Sequence, residues 1–291
     1  MATPFGLGDK NILGSVRKLY AIEHQWPVTI WDLNHADPTL KQLKDTIGDA
    51  GTAREHSGTA SYKVTLGASP NKVSIFNPII MGLIFKFYPP EPGAVVYDPF
   101  GGGGTRALMS VAYGYKYIGV ELRKEEVDAV ETRIAGYMDK AGYMSGTWDI
   151  KHGDSRHVPS IPDEHADMLI TCPPYYDMEP YDGGVNDLSM AATYDQFLDM
   201  LGEVVDECYR ILKPGAMACW VIGLHRKKDG VLLPMHHDLG YLHLYRGFDI
   251  YEEVIIHMQN TGSVQRVGNF AKGDNRLIRI HEYLLIFKKR R

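Results

Sequence analysis

Two short stretches carry the residue types that can do chemistry. Residues 171–176 read Thr-Cys-Pro-Pro-Tyr-Tyr, and residues 95–105 read Val-Val-Tyr-Asp-Pro-Phe-Gly-Gly-Gly-Gly-Thr. A Pro-Pro pair locks two φ angles and removes two backbone donors, so Pro173 and Pro174 form a stiff turn with free carbonyls. Tyr175, which follows, adds a flat face on which a planar substrate can stack. The run Gly101–Gly104 lets the backbone turn tightly and come close to a ligand. Its register, Gly102-x-Gly104-x-x-Ala107, fits the dinucleotide-binding fingerprint in its Ala variant, so taken alone it leaves the cofactor open. Glu121 stands 23 residues beyond Asp98. A carboxylate at that spacing can take hydrogen bonds from both hydroxyls of a ribose.

These residues need a frame that brings them to one edge. Beyond about residue 90, short apolar strands alternate with helical patterns, the signature of an α/β fold with a mostly parallel sheet and helices on both faces. Strands are expected at Ala94–Asp98, Tyr117–Glu121, Trp148–His152, Ala166–Thr171, Ala216–Ile222, Tyr251–His257 and Glu282–Phe287. Only the polar stretch Gln259–Ile280 separates the last two, which predicts a terminal antiparallel pair. Helices are expected at Pro78–Phe87, Thr105–Tyr113, Lys124–Lys140, Tyr194–Leu212 and Met235–Arg246, with Lys213-Pro214-Gly215 as a stop signal. Residues 1–70 read as an irregular N-terminal extension whose Trp26 and Trp31 are core anchors. Residues 71–291 form the main domain.

At 291 residues and 44% hydrophobic content, the chain can bury one large core. No run of about 18 apolar residues predicts a membrane span. The N-terminus lacks the basic and apolar pattern of a signal peptide, so a cytoplasmic location is expected. Cys172, Cys208 and Cys219 show neither metal-type spacing nor a disulfide framework, and the histidines, His236-His237 among them, suggest no metal site. The net charge is −5, but from Leu224 onward there are 12 Lys+Arg against 7 Asp+Glu. A polyanionic partner would be met in that basic quarter, because phosphates respond to local charge.

Taken together, Asp98-Pro99-Phe100 before the glycines and Thr171–Tyr176 downstream resemble the amino-group DNA methyltransferases of prokaryotes and phages. Further likeness lies in Ser74-Ile75-Phe76-Asn77-Pro78, His152-Gly153-Asp154-Ser155, Asp177–Tyr181, Asn186–Ser189 and the closing His281–Lys288. The resemblance spans roughly residues 72–290. It implies a Rossmann-like seven-stranded sheet with an antiparallel last strand and S-adenosyl-L-methionine as cofactor. Phe76, Asn77, Asp98, Pro99, Phe100, Gly102, Gly104, Thr105, Glu121 and Asp154 would line the cofactor site, with Phe100 near the adenine and Asp154 on its amino group. It also implies that the methyl passes directly to adenine N6 or cytosine N4 of a base swung out of the duplex. Pro173 would supply a carbonyl to the amino group, with Pro174 stiffening the turn and Tyr175 stacking on the base.

Cys172 departs from the family pattern, which has Asp, Asn or Ser there. A thiol is the weaker acceptor. Its size is nearest the Ser variant associated with cytosine N4, which favours cytosine. A covalent role would resemble the cytosine-C5 enzymes, but those place the cysteine after the proline. For DNA contact the best candidates are the stretch 261–279, with Arg266, Lys272 and Arg276, and the cluster Arg226-Lys227-Lys228. Two other readings stay open: an amino-group RNA methyltransferase, and a DNA-binding or regulatory protein on the same fold with its chemistry lost at Cys172. A nicotinamide dehydrogenase leaves Thr171–Tyr176 without a role.

Overall fold

Parallel strands that end at a common edge are the first consequence of the alternating apolar pattern. The computed structural model describes residues 29–33, 76–141, 145–177, 184–227, 229–257, 277 and 280–291. In chain order its strands are β1 (Ile30–Asp32), β2 (Val95–Asp98), β3 (Lys116–Glu121), β4 (Thr147–His152), β5 (Ala166–Thr171), β6 (Leu212–Ile222), β7 (His225–Arg226), β8 (Leu232–Leu233), β9 (Phe248–His257) and β10 (His281–Lys289). The helices are α1 (Pro78–Phe87), α2 (Thr105–Ala112), α3 (Lys124–Ala141), α4 (Tyr194–Ile211) and α5 (Met235–Tyr245). Among the described residues eight strands make one sheet, ordered β1-β9-β10-β6-β5-β2-β3-β4, and β7 pairs with β8 in a separate hairpin.

Local chemistry sets the element ends. Asn77 caps α1 by accepting from the Ile79 amide at 3.1 Å, with Pro78 at the first helical position, where its missing N–H costs nothing. Thr193 caps α4 through the Gln196 amide at 3.1 Å. Along α4, Phe197, Leu201, Val204, Cys208 and Ile211 recur at helical spacing and are all buried. Residues of α1, α2 and α3 share one core with one face of the sheet, including Met81, Ile84, Val96, Met109 and Val130. On the other face α4 and α5 pack over Trp220, Phe248 and Phe287.

Two differences from the sequence expectation have clear causes. The sheet gains an eighth strand because Ile30–Asp32 adds in parallel beside β9. Trp31 in that strand is buried and stacks on Phe87 at 5.5 Å, in line with its reading as a core anchor. Strand β6 begins at Leu212, ahead of the expected Ala216, because a register slip between Ala166 and Met168 lets Leu212 pair with Ala166 through the Lys-Pro-Gly stretch. Gly215 in that stretch has a φ of 81°. Trp26 and the irregular stretch expected at 48–61 lie outside the described residues.

The directions of pairing decide where chemistry can occur. Strands β2 to β6 are mutually parallel, so Asp98, Glu121, His152, Thr171 and Ile222 reach one edge. Strand β10 runs antiparallel to both β6 and β9 and begins at that same edge, with Tyr283 opposite Ile222 and His281 opposite His257. Ligands of open α/β sheets lie at such an edge.

Candidate active site

The glycine turn is held from inside by Asp98. Its carboxylate is fully buried and accepts from the Arg106 guanidinium (2.6 Å), the Tyr117 hydroxyl (2.8 Å), the Thr171 hydroxyl (2.7 Å) and the Phe100 amide (3.1 Å). These four donors take up the carboxylate's lone-pair sites. Asp98 therefore braces β2, β3, β5 and the turn together, and its side chain has no site left for a ligand. Burial works against the charge of Arg106, but Asp98 beside it more than compensates and keeps the guanidinium protonated. Arg106 also donates to the Phe100 carbonyl and lies over the Phe76 ring at 4.9 Å. Pro99 is buried behind the turn, and Phe100 meets Trp220 edge-on at 6.3 Å.

Gly102 and Gly104 both have positive φ, 52° and 83°. A side chain at Gly104 would also place its Cβ 2.7 Å from Val130 of α3, so packing and backbone both require glycine there. Thr105 opens α2 with its hydroxyl buried and without a partner among the described residues, turned into protein. Asn77 spends its side-chain oxygen on the α1 cap.

Glu121 faces the turn from the end of β3. One carboxylate oxygen accepts from the Gly102 amide at 3.0 Å and the other from the Arg123 amide at 2.9 Å. Each oxygen keeps a further lone pair, the acceptor set a ribose diol requires. Burial raises its pKa above the ordinary carboxylate value, opposed by those amide bonds and by Arg123. Asp154, after β4, accepts from the Arg156 amide (3.0 Å) and from its guanidinium (2.6 Å at Nη2). Burial alone would raise this carboxyl, but the Arg156 hydrogen bonds and charge prevail and its pKa is lowered. Arg156 reaches on to Asn186 at 2.9 Å, so the same guanidinium joins the end of β4 to the segment that follows the Pro-Pro turn. A glycine cradle with no room for a side chain, beside a carboxylate with spare lone pairs, suits a nucleoside cofactor.

The Pro-Pro-Tyr turn begins where β5 ends. Cys172 is half-buried against the α1–α3 core, while Tyr175 and Tyr176 pack toward α4. Tyr176 tilts against Tyr194 and Phe197 at 5.6 and 5.9 Å, which pins the end of the loop. The Tyr175 hydroxyl accepts a hydrogen bond from the Gly223 amide, laying the phenol across the end of β6. Pro173 and Pro174 thus sit between the buried Thr171 and this anchored ring. The site residues that the sequence separates by seventy positions stand along one edge.

Sequence reasoning missed several participants. Arg106, Tyr117 and Thr171 complete the Asp98 brace, and a charged residue directly ahead of the mostly apolar stretch 107–112, in the first turn of α2, was the available signal for Arg106. Glu282, at the start of β10, also reaches this edge. Of the expected DNA-contact residues, Arg226 donates to the Gly230 carbonyl at 2.6 Å and Lys227 pairs with Asp229 at 2.7 Å, both within the β7–β8 hairpin. Lys228, Arg266, Lys272 and Arg276 lie outside the described residues. Among the described residues no cluster of three potential metal ligands occurs, and no helix is long and apolar enough to cross a membrane.

A parallel sheet with an antiparallel closing strand, a glycine turn against an acidic strand end, and a Pro-Pro-Tyr turn at the next sheet edge together define a Rossmann-like α/β fold. Residues 166–291 match the family model described as DNA methylase, N6_N4_Mtase. The orphan methyltransferase M.BamHII of Bacillus amyloliquefaciens is 44% identical over 54 residues, 19% of this chain and 20% of the relative. The type II methyltransferase M.BglII of Bacillus subtilis is 23% identical over 103 residues, 35% of this chain and 26% of the relative. The chain thus spans about a quarter or less of these curated relatives' length. Among solved structures, a SAM-dependent methyltransferase of Methanosarcina mazei aligns over 75% of this chain and 99% of its own at 16% identity and a TM-score of 0.49. A DNA modification methylase of Thermus thermophilus, complexed with S-adenosyl-L-methionine, aligns over 48% and 52% at 26% identity and a TM-score of 0.36. In residues 166–291 the chain is thus similar to the amino-group DNA methylases.

Proposed function

We propose that this chain methylates an exocyclic amino group of DNA, cytosine N4 in preference to adenine N6, on a base swung out of the duplex. The observation that carries this is the placement of Tyr175. Its ring is fixed by the Gly223 amide beside the Pro-Pro turn, on the same sheet edge as Glu121 and the glycine turn. The bound cofactor supplies an electrophilic methyl group. Glu121 holds the cofactor's ribose, the turn Phe100–Gly104 lets it approach the backbone, and Asp154 lies within its reach from β4. The Pro173 carbonyl orients the target amino group, whose lone pair is otherwise delocalised into the ring. Tyr175 stacks on the base, and the stiff turn supplies positioning, which is the main source of rate for such a transfer. No thiolate is required of Cys172, whose small side chain suits cytosine. DNA is held by the stretch 261–279, through Arg266, Lys272 and Arg276, and by the hairpin that carries Arg226, Lys227 and Lys228.

The test is base-resolved modification mapping of DNA from cells that express the protein, beside mass spectrometry of its nucleosides. N4-methylcytosine is the expected product. N6-methyladenine would overturn the choice of base, C5-methylcytosine would overturn direct transfer, and methyl groups confined to RNA would overturn the substrate.

A further inference from the structure

Glu282 is the acidic group at this edge for which the site described above has no task. It lies on β10 directly across from β6, where Tyr283 pairs with Ile222, so Glu282 stands beside Gly223. A Cβ built on Gly223 would lie 2.9 Å from the Tyr175 hydroxyl and 3.5 Å from Glu282 Cγ. The Tyr175 phenol tip and the Glu282 side chain thus meet over the same glycine. Among the described residues the Glu282 carboxyl group makes no hydrogen bond or ion pair. Its cross-strand neighbour on β9 is Ile256, and the next residue in that row is Trp31 of β1. Glu282 is half-buried, and a carboxyl group beside an apolar row is desolvated enough to favour a ligand that takes up its hydrogen-bonding capacity.

The distance from the Pro-Pro turn limits what it can touch. Strands β5 and β10 are separated by β6 alone, about 10 Å at ordinary strand spacing. A base whose amino group meets the Pro173 carbonyl and whose ring stacks on Tyr175 would turn the rest of its amino-bearing, hydrogen-bonding edge toward β10. We propose that Glu282, as a neutral carboxylic acid, donates a hydrogen bond to an acceptor on the edge of the target base and so positions it. This rests on the amino-methylation reading above. Cytosine (N3) and adenine (N1) both present a ring-nitrogen acceptor next to the amino group. A donor at this place therefore serves both of the bases named in the amino-methylation reading. Burial supports the neutral form, raising the Glu282 pKa to about 7. The titratable groups on the elements around it are Tyr175, His225 after β6, His236 on α5, His257 on β9, and His281 and Tyr283 on β10; burial is the cause of the shift, and none of these contributes to it.

Four proteins decide the matter: wild type, Glu282→Ala, Glu282→Gln and, as a reference, Tyr175→Ala. Each is assayed for single-turnover DNA methylation between about pH 6 and 9, for cofactor affinity by calorimetry and for thermal melting. Glu282→Ala should lose about five- to hundredfold in kcat/KM for DNA with cofactor affinity unchanged. Glu282→Gln keeps a donor and should retain most activity. The sign of the pH effect follows from the required proton: wild-type activity falls as pH rises through about 7, and the Gln variant lacks that fall. Above about pH 7 the Gln variant should also melt no lower than wild type, since it carries no buried charge. An active wild type with an indifferent Glu282→Ala, a Gln variant with the wild-type pH fall, or a parallel loss of cofactor affinity would each overturn the contact alone. A wild type that leaves DNA unmethylated overturns the functional reading and this contact with it.

Discussion

Replacing Asp98 with Ala removes the acceptor shared by four donors in the centre of the site. The Arg106 guanidinium would be left charged and buried, 2.6 Å from where its partner stood. Stranding one member of a buried ion pair costs about 3–5 kcal/mol. The Tyr117 and Thr171 hydroxyls lose their partner as well, at about 1–3 kcal/mol for an isolated case, though groups that share one acceptor do not add in full. For a chain of this size each kcal/mol moves the melting temperature by about 2–4 °C, so Asp98→Ala should melt roughly 10 °C or more below wild type. Asp98→Asn keeps an acceptor of the same shape and should fall between the two. Because the stranded charge dominates the loss, Asp98→Ala combined with Arg106→Met should melt above the single Ala variant. Calorimetric melting of the three variants beside wild type measures this directly. A single Ala variant within about 2 °C of wild type, or a double variant that melts lower than the single one, would refute the brace.

Other expected outcomes follow from single contacts. Tyr175→Ala should lose stacking worth about 1–3 kcal/mol in single-turnover methylation with cofactor affinity intact, and Tyr175→Phe should lie between Ala and wild type because it abandons the Gly223 amide. Gly104→Ala should lose cofactor affinity by calorimetry, and Val130→Ala should restore it only in part, since it relieves the 2.7 Å contact but leaves the positive φ. Cys172→Ser should keep or raise the methylation rate and Cys172→Ala should slow it without abolishing it; inactivity of both would point to a covalent thiolate mechanism.

Much of the frame was legible because strands β2, β3 and β5 are short, largely apolar runs, too brief for helices and bounded by turn residues. Strand β5 and helix α1 fall where the pattern put them. Strand β1 was illegible: three residues without alternation become a strand only by adding to β9. The start of β6 was misplaced since Lys213-Pro214-Gly215 has the local chemistry of a stop, and only the slipped pairing with Ala166 overrides it. At the site, motif residues could be named but not their duties. Asp98 belongs to the signature, yet its partner Arg106 is decided by the turn of α2. The Tyr175 hydroxyl, which the motif leaves free, is engaged by a glycine beyond the end of the neighbouring strand. Glu282 looked like one more polar residue ahead of Tyr-Leu-Leu-Ile-Phe. Its importance comes from the register of β10, which sequence patterns do not encode.

The pairing of His281 with His257 has a further consequence. The chain leaves the sheet at His257 and re-enters it at His281, two neighbouring points on the ligand edge. Whatever sequence lies between them is tethered there at both ends. Closing such a loop costs free energy that grows only with the logarithm of its length, about 0.6 kcal/mol for each doubling. Closure entropy alone therefore sets only a weak limit on the length of chain joined at these two points. Under the proposed function, a different DNA contact could then be carried at the same mooring, with the pairing of β9 and β10 left in place.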